Sequence, residues 1–248
     1  MRRLAWLFVL LPLLLSVATA QESLEDRLNS DRVGYAEPGA YMAGDGIGFA
    51  LDRYGANYLL RFSGSPEVFV LYEDRASFGG RVLKYDSGET ALTVAGWGGL
   101  TLYVPQAPGG LPAARTGDSF PPQLQAVSVS DVQGAAADET QHIAYTRRLA
   151  VAFGANWAQL GQDGNACALA LDTLANAARG LERFSATPQG RDALARRVGA
   201  LQLAYAERPS ITLSGRTLIV TFNPARGYVG RASSRAIARG LGTLLGVR

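Results

Sequence analysis

Apolar and polar residues alternate along several short runs in the first half of this 248-residue chain. Tyr58, Leu60 and Phe62 would share one face of an extended strand, while Leu59 and Arg61 would share the other. Successive side chains of a β-strand point to opposite faces of the sheet. The pattern therefore predicts strands in this region, each with one face turned towards a core.

Six such β-prone runs follow one another between residues 49 and 104, and turn-forming residues separate them. The runs cover residues 49–53, 57–62, 67–72, 81–85, 90–95 and 100–104. Short strands at even spacing with glycine-rich or serine-rich turns are typical of an antiparallel meander. We expect these strands to form a small barrel or a sandwich.

A stretch rich in proline and glycine follows the strands. Residues 105–122 contain five prolines and the pair Gly109-Gly110. Proline has no backbone N–H to donate to a β-ladder, and glycine adds conformational freedom. This stretch is predicted to be a linker or an extended strap over the sheet.

Helical spacing dominates the second half of the chain. Apolar residues recur every three or four positions at Ile143, Ala150, Phe153, Trp157 and Leu160, and again at Cys167, Ala170, Leu171, Leu174, Ala178 and Leu181. Thr187-Pro188 is a favourable start for another helix, because threonine caps helices and proline suits the first turn. Leu194, Val198 and Leu201 would form the apolar face of that helix.

The last part of the chain returns to strands and ends in a helix. Residues 211–213 and 217–222 flank Ser214-Gly215 as a hairpin, and a helix is predicted from Ser233. The fold class is therefore α+β: a strand-rich antiparallel N-terminal half, then a helical region ending in a β-hairpin and a C-terminal helix. We divide it into modules at 21–120, including the Pro/Gly-rich linker, and 121–248.

Residues 1–20 have the order of charge, apolar run and cleavage site that marks a secretory signal peptide. Arg2 and Arg3 precede the apolar residues 4–17, and Ala18-Thr19-Ala20 supplies the small residues of a cleavage site. The run is shorter than the ~20 residues needed to span a bilayer. We expect an exported protein, periplasmic or secreted, with no transmembrane segment after cleavage; an uncleaved N-terminal anchor is the alternative.

The charge of the chain is unevenly distributed. Without residues 1–20 it holds 22 basic and 21 acidic residues, a net charge of +1. Residues 21–120 carry a net −5 and residues 121–248 a net +6. The asymmetry indicates either an electrostatic binding face or two halves that attract each other. A nearly neutral exported chain does not fit a nucleic-acid partner.

Four C-terminal arginines are the best candidates for a binding site: Arg226, Arg231, Arg235 and Arg239. Arginine recognises phosphate and carboxylate groups through paired hydrogen bonds. Their partner would be an anionic envelope component, namely a lipid headgroup, lipopolysaccharide or peptidoglycan. In the alternative interpretation they form a solvated helix face, or one that pairs with the acidic first half.

Catalytic chemistry has little support in the sequence. His142 is the only histidine and has no nucleophile motif to serve, and Cys167, the only cysteine, lies in an apolar helical stretch. No cofactor, metal site or catalytic residue is predicted. An envelope-polymer hydrolase is kept as an alternative, using a pair among the carboxylates of Asp45, Asp52, Glu73, Asp74, Asp86 and Glu89.

Trp97 lies among Gly96, Gly98 and Gly99. An aromatic residue in a glycine-rich loop would be either an exposed stacking platform or a cover for one end of a β core. A further functional alternative is a carrier for a small apolar ligand, which requires a cavity inside the strand-rich half.

Three short segments resemble an uncharacterised domain-of-unknown-function family of signal-bearing proteins from Gram-negative bacteria. They are Leu59–Phe62 with Ser65–Val68, Gly98–Leu102, and Gly227–Arg235. The resemblance implies export and a shared fold. It implies no activity, cofactor or catalytic residue.

Overall fold

The computed structural model describes residues 35–44 and 46–247, apart from the side chains of Gly164 and Asn165. The predicted signal peptide and Asp45 lie outside the described residues. Within the described ranges, no helix combines the length and the apolar character needed to cross a bilayer.

The first half is a closed barrel of eight antiparallel strands that follow one another in chain order. The strands are β1 (Gly39–Ala43), β2 (Ile47–Tyr54), β3 (Asn57–Phe62), β4 (Val68–Arg75), β5 (Arg81–Tyr85), β6 (Thr90–Val94), β7 (Leu100–Val104) and β8 (Ala107–Gly117). Pairing of β1 with β8 closes the barrel, with Tyr41 opposite Arg115 and Ala43 opposite Ala113. The expected small barrel is confirmed, with two strands more than the six runs.

The additional strand β8 corrects the prediction of a linker over residues 105–122. Pro112 pairs with Thr101 of β7 in regular register, and Pro108 lies between Ala107 and Leu111, where the β7–β8 register shifts. A local irregularity of this kind is where a strand accommodates proline. Pairing with both β1 and β7 outweighs the low strand propensity of the segment. Residues 118–128 follow β8 without a helix or strand, and there the Phe120 carbonyl accepts a hydrogen bond from Arg61.

Side chains fill the interior of the barrel. Tyr58 and Leu60 point inwards and Leu59 outwards, which confirms the predicted alternation. Six inward leucines from six different strands have no exposed surface: Leu51, Leu60, Leu71, Leu83, Leu92 and Leu102. Because no water-sized space adjoins them, this part of the interior is a packed core.

The second half is an α/β part with a mixed four-stranded sheet. Its helices are α1 (Val129–Arg147), α2 (Trp157–Leu160), α3 (Gly164–Phe184), α4 (Pro188–Arg197) and α5 (Ser234–Leu245). Its strands are β9 (Ala152–Ala155), β10 (Ala200–Tyr205), β11 (Ile211–Ser214) and β12 (Thr217–Phe222), in the order β11-β12-β10-β9. Strands β9, β10 and β12 are mutually parallel, and β11 forms the predicted hairpin with β12.

Two residues assigned to helices belong to strands in the structure. Phe153 lies in β9 and Leu201 in β10. Buried parallel strands have apolar residues on both faces, so such a short run does not show the two-residue alternation of a half-buried strand. The predicted start of α4 is confirmed, because the Thr187 hydroxyl accepts a hydrogen bond from the Gly190 N–H at 3.1 Å.

The two parts pack against each other over the outer face of β3 and β4. Leu59, Val68 and Val70 form a small apolar cluster with Tyr228. Tyr228 belongs to a 3₁₀ segment, Pro224–Gly230, that leads from β12 into α5. This contact places the N-terminus of α5 beside one end of the barrel.

Candidate functional site

The barrel presents two chemically different ends, because alternate turns of a meander lie at opposite ends. The helix end includes turns 63–67 and 86–89, which contact α5 and the preceding Ser233. The aromatic end consists of turns 55–56, 76–80 and 95–99.

Arg231, one of the four predicted arginines, is a buried link between the two parts. It is 3% exposed, and its Nε donates to the carboxylate of Asp172 on α3. One of its terminal nitrogens donates to the Val68 carbonyl at 2.7 Å, and the guanidinium lies 5.3 Å from the Tyr228 ring centre. All these groups belong to the chain itself.

Arg235 and Arg239 contact the β5–β6 turn. Arg235 donates to Glu89 at 2.7 Å and lies over the ring of Tyr85 at 4.4 Å. Burial raises the pKa of Tyr85 to about 12, and the nearby Arg235 guanidinium opposes that rise. Arg239 donates to the Ser87 carbonyl. Both arginines therefore hold α5 to the helix end.

Two carboxylates of the barrel bind the N-terminus of α5. Asp86 accepts the Ser233 N–H at 2.7 Å and the Ser233 hydroxyl at 2.5 Å. Glu67, which is 1% exposed, accepts the Ser234 N–H at 2.9 Å and the Ser234 hydroxyl at 2.8 Å. The first N–H groups of a helix lack partners within it and carry partial positive charge, which these carboxylates complement.

Arg226 is the exception among the four arginines. It is exposed, and its side chain makes no hydrogen bond or ion pair with another described residue. Arg231, Arg235 and Arg239 each bind groups of the chain itself. Anion binding by the set stays a prediction, and the contacts to the barrel favour the alternative in which the basic and acidic halves pair.

The candidate carboxylates of the first half bind separate partners. Asp52 is buried and accepts from Arg61 at 3.0 Å and from the Ser119 hydroxyl at 2.5 Å. Glu73 accepts from Arg81 at 3.0 Å, and Lys84 lies 2.7 Å from Asp74. Asp86 binds Ser233, and Glu89 binds Arg235. These contacts do not place any two of the described candidate carboxylates opposite each other across an open cleft.

His142 and Cys167 have ordinary structural environments. His142 on α1 shares a hydrogen bond of 2.9 Å with Glu182 on α3. Burial raises the pKa of the neighbouring Glu139, and the charge of Glu182 adds to that effect. Cys167 is buried, which raises the pKa of its thiol, so it is a poor nucleophile. In the part of the chain that the structure describes, no three His, Cys, Asp or Glu residues cluster as a metal site.

Exposed aromatic rings mark the opposite end of the barrel. Trp97 is 88% exposed, so it does not cover a core, and its role as a platform stays a prediction. Phe78, which sequence reasoning missed, is 97% exposed on the neighbouring turn. Its local sequence Phe78-Gly79-Gly80 resembles Trp97-Gly98-Gly99, and that similarity could have identified it.

The two aromatic turns touch, and one of them is strained. A Cβ atom added to Gly96 would lie 2.4 Å from the Phe78 carbonyl oxygen, so the two backbones are in close contact. Phe78 has φ 56° and ψ 37°, the left-handed region that bulky residues rarely adopt. A strained backbone at an exposed aromatic residue is a reason to look for function there.

Comparison with known proteins identifies the family. The family model described as "Domain of unknown function (DUF4908)" matches residues 22–241. The chain belongs to the DUF4908 family. No curated protein and no solved structure matches it at a significant level.

Two of the three segments that carry the family resemblance meet in this DUF4908 chain. Glu67 of the segment 65–68 binds Ser234 of the segment 227–235, and Arg231 binds the Val68 carbonyl. The helix end is therefore a joint within the fold. At the aromatic end, Tyr54 beside turn 55–56 packs edge-on against Tyr228 of the α/β part. Phe78 and Trp97 on the other two turns stay exposed, which makes those turns the better candidate for an external partner.

Proposed function

We propose that this DUF4908 chain is exported and acts in the cell envelope as a binding protein without catalytic chemistry. The order of charge, apolar residues and cleavage site in residues 1–20 supports export to the periplasm or beyond. We propose further that the aromatic end of the barrel is its contact surface.

The exposure of Phe78 and Trp97 on touching turns carries this proposal. Large apolar side chains that are fully exposed together contribute nothing to the packed core, and aromatic residues are enriched where proteins bind partners. The strained backbone of Phe78 points the same way, because a glycine at this position would relieve the strain.

The two earlier alternatives have weaker support. Hydrolysis of a glycan requires two carboxylates on opposite sides of the scissile bond. Here Asp52, Glu73 and Asp74 are each committed to a different cation. A carrier of apolar ligands requires a cavity in the barrel, whereas leucines from six strands fill the interior without accessible surface.

A groove beside α5 supports anion binding as a second candidate function. Arg183, Phe184, Thr187, Arg239 and Thr243 line an open depression of about 790 Å³. Its guanidinium and hydroxyl groups are suited to a phosphate or carboxylate of an envelope component. Arg226 lies outside this groove and would act as a separate surface cation.

Export is tested by expressing the full chain in a Gram-negative host. Cell fractionation and N-terminal sequencing of the purified protein give its location and its first residue. We expect a periplasmic or secreted protein that begins at Gln21. A cytoplasmic protein that retains Met1 would overturn the proposal of export.

Binding is tested by sedimenting the processed chain with membrane fractions and, separately, with peptidoglycan sacculi. The double variant Phe78→Ser/Trp97→Ser should lose most of the binding. The control Phe120→Ser/Tyr145→Ser removes two aromatic rings of similar exposure, 83% and 88%, elsewhere on the surface. Equal binding by the two double variants would rule out the aromatic end. Loss of binding only in the double variant Arg226→Ala/Arg239→Ala would favour the second candidate function, anion binding.

A further inference from the structure

We propose that the partner of the aromatic end is the interfacial region of a phospholipid bilayer, into which Phe78 and Trp97 insert. This inference rests on the proposed function and names its partner. Exposures of 97% and 88% leave both faces and the edges of the two rings open. A sugar platform uses one face of a ring beside convergent hydrogen-bonding groups, whereas a lipid interface surrounds a whole side chain.

The composition of the turns at this end suits insertion. Turn 76–80 reads Ala-Ser-Phe-Gly-Gly, turn 95–99 reads Ala-Gly-Trp-Gly-Gly, and turn 55–56 is Gly-Ala. None of these turns contains a charged residue, and charge is the feature that makes transfer into lipid most unfavourable. The turns of the helix end, by contrast, contain Glu67, Asp86 and Glu89.

The backbone of the aromatic turns is partly satisfied from within. The Ala95 N–H donates to the Gly99 carbonyl and the Gly98 N–H to the Ala95 carbonyl, both at 2.8 Å. In the other turn, the Ala76 N–H donates to the Gly80 carbonyl at 3.0 Å. A backbone group that has a partner inside its own turn does not lose a hydrogen bond when the turn leaves water.

Basic residues lie just behind the aromatic turns. Arg75 is exposed, and its side chain forms no hydrogen bond or ion pair within the described residues. It lies opposite Arg81 in the β4–β5 register, at the base of turn 76–80. Arg81 is paired with Glu73, so Arg75 is the cation that would meet a lipid phosphate while the rings reach the acyl boundary, as in interfacial membrane anchors. Its guanidinium favours an anionic phospholipid.

The chain also enters the barrel at this end. Tyr35, the first described residue, lies over the guanidinium groups of Arg53 and Arg81, at 5.4 and 5.1 Å from its ring centre. The entry of the chain into the barrel and the rings of Phe78 and Trp97 are therefore at the same end.

The experiment measures binding of the processed chain to vesicles of phosphatidylethanolamine and phosphatidylglycerol that contain no protein or glycan. Trp157→Phe leaves Trp97 as the only tryptophan after residue 20. We expect its emission to shift to shorter wavelength on binding and to be quenched by brominated acyl chains. Phe78→Ser and Trp97→Ser should each weaken partitioning into the vesicles about tenfold. Because Trp97→Ser removes the fluorescent residue, binding of that variant is measured by sedimentation. Phe120→Ser and Tyr145→Ser should leave it unchanged.

The alternative outcomes separate this inference from the proposed function. Binding to sacculi that requires Phe78 and Trp97, without binding to the vesicles, would overturn the lipid inference and keep the proposed function. Vesicle binding that vanishes at high salt and is indifferent to both rings would also overturn insertion, because it would be purely electrostatic. Absence of binding to vesicles and to every envelope fraction would overturn both.

Discussion

Phe78 combines an unfavourable backbone with a side chain that packs against nothing. A left-handed conformation costs a non-glycine residue about 1–2 kcal/mol, and the ring is 97% exposed. Phe78→Gly should raise the free energy of unfolding by about 0.5–1 kcal/mol, because relief of strain exceeds the added freedom of the unfolded chain. Urea denaturation measures this. Phe120→Gly is the control, an exposed phenylalanine without positive φ, and should not stabilise. A destabilised Phe78→Gly variant would mean that the ring supports the fold.

Tyr85 is a residue whose hydroxyl group weakens the fold. The side chain lies in the barrel core, and its oxygen is buried without a hydrogen-bond partner among the described residues. Tyr85→Phe should therefore raise the free energy of unfolding by about 1 kcal/mol at neutral pH. If the variant is less stable, the hydroxyl has a partner that a bound water supplies.

The same residue predicts a pH dependence. Its pKa of about 12 in the fold exceeds the ordinary value of 10.0. As pH rises from 10 to 12 the unfolded chain loses this proton first, and that ionisation favours unfolding, so the wild type becomes less stable over the interval. The stability difference between Tyr85→Phe and the wild type should grow with pH there. Denaturant midpoints at pH 7 and across this interval provide the measurement, and a constant difference would contradict the assignment.

At the scale of single elements, the N-terminus of α5 depends on carboxylates from a distant part of the chain. Glu67→Gln should lower the free energy of unfolding by about 1.5–3 kcal/mol, because a buried carboxylate that accepts two hydrogen bonds from Ser234 loses its charge. Glu89→Gln is the matched control: its pair with Arg235 is more exposed, so the loss should stay below about 1 kcal/mol. Urea denaturation compares them. Equal losses would mean that the burial of Glu67 adds nothing to the free energy of unfolding that this contact contributes.

The elements themselves divide into those that local sequence determines and those that it does not. Alternation in β3, the Thr187 cap of α4 and the hairpin β11–β12 are local signals, and the structure confirms them. Strand β8 exists because β1 and β7 pair with it, although its prolines argue against a strand. Partners that are remote in sequence decide such an element, so periodicity alone does not predict it.

The same distinction explains the candidate sites. A glycine-rich turn around Trp97 is visible in the sequence, but its 88% exposure depends on how the barrel is closed. Arginine spacing along α5 is equally visible. Its contacts with Ser87 and Glu89 depend on a docking geometry that joins residues about 150 positions apart. Residue type is local information, whereas the group that each residue faces is not.

At the scale of the whole molecule, the opposite charges of the two halves meet in one joint. Glu89 pairs with Arg235, and Arg183 lies 3.6 Å from Glu67. Surface pairs of this kind contribute little singly. Buried hydrogen-bonded groups contribute more, and Arg231, with bonds to Asp172 and to the Val68 carbonyl, is the clearest of these.

Arg231 connects α3, β4 and the 3₁₀ segment, so its removal tests whether the barrel and the α/β part form one cooperative unit. Arg231→Met keeps most of the volume but leaves Asp172 and the Val68 carbonyl without their partner. Breaking a buried pair in this way should cost about 3–5 kcal/mol. Arg226→Met, an exposed arginine in the same segment, should stay within about 0.5 kcal/mol of the wild type. Hydrogen exchange of the backbone amides then shows which part of the chain has lost stability. If the two parts are coupled, protection should fall together in β1–β8 and in α3; a loss confined to α3 would show that the barrel is stable without its partner.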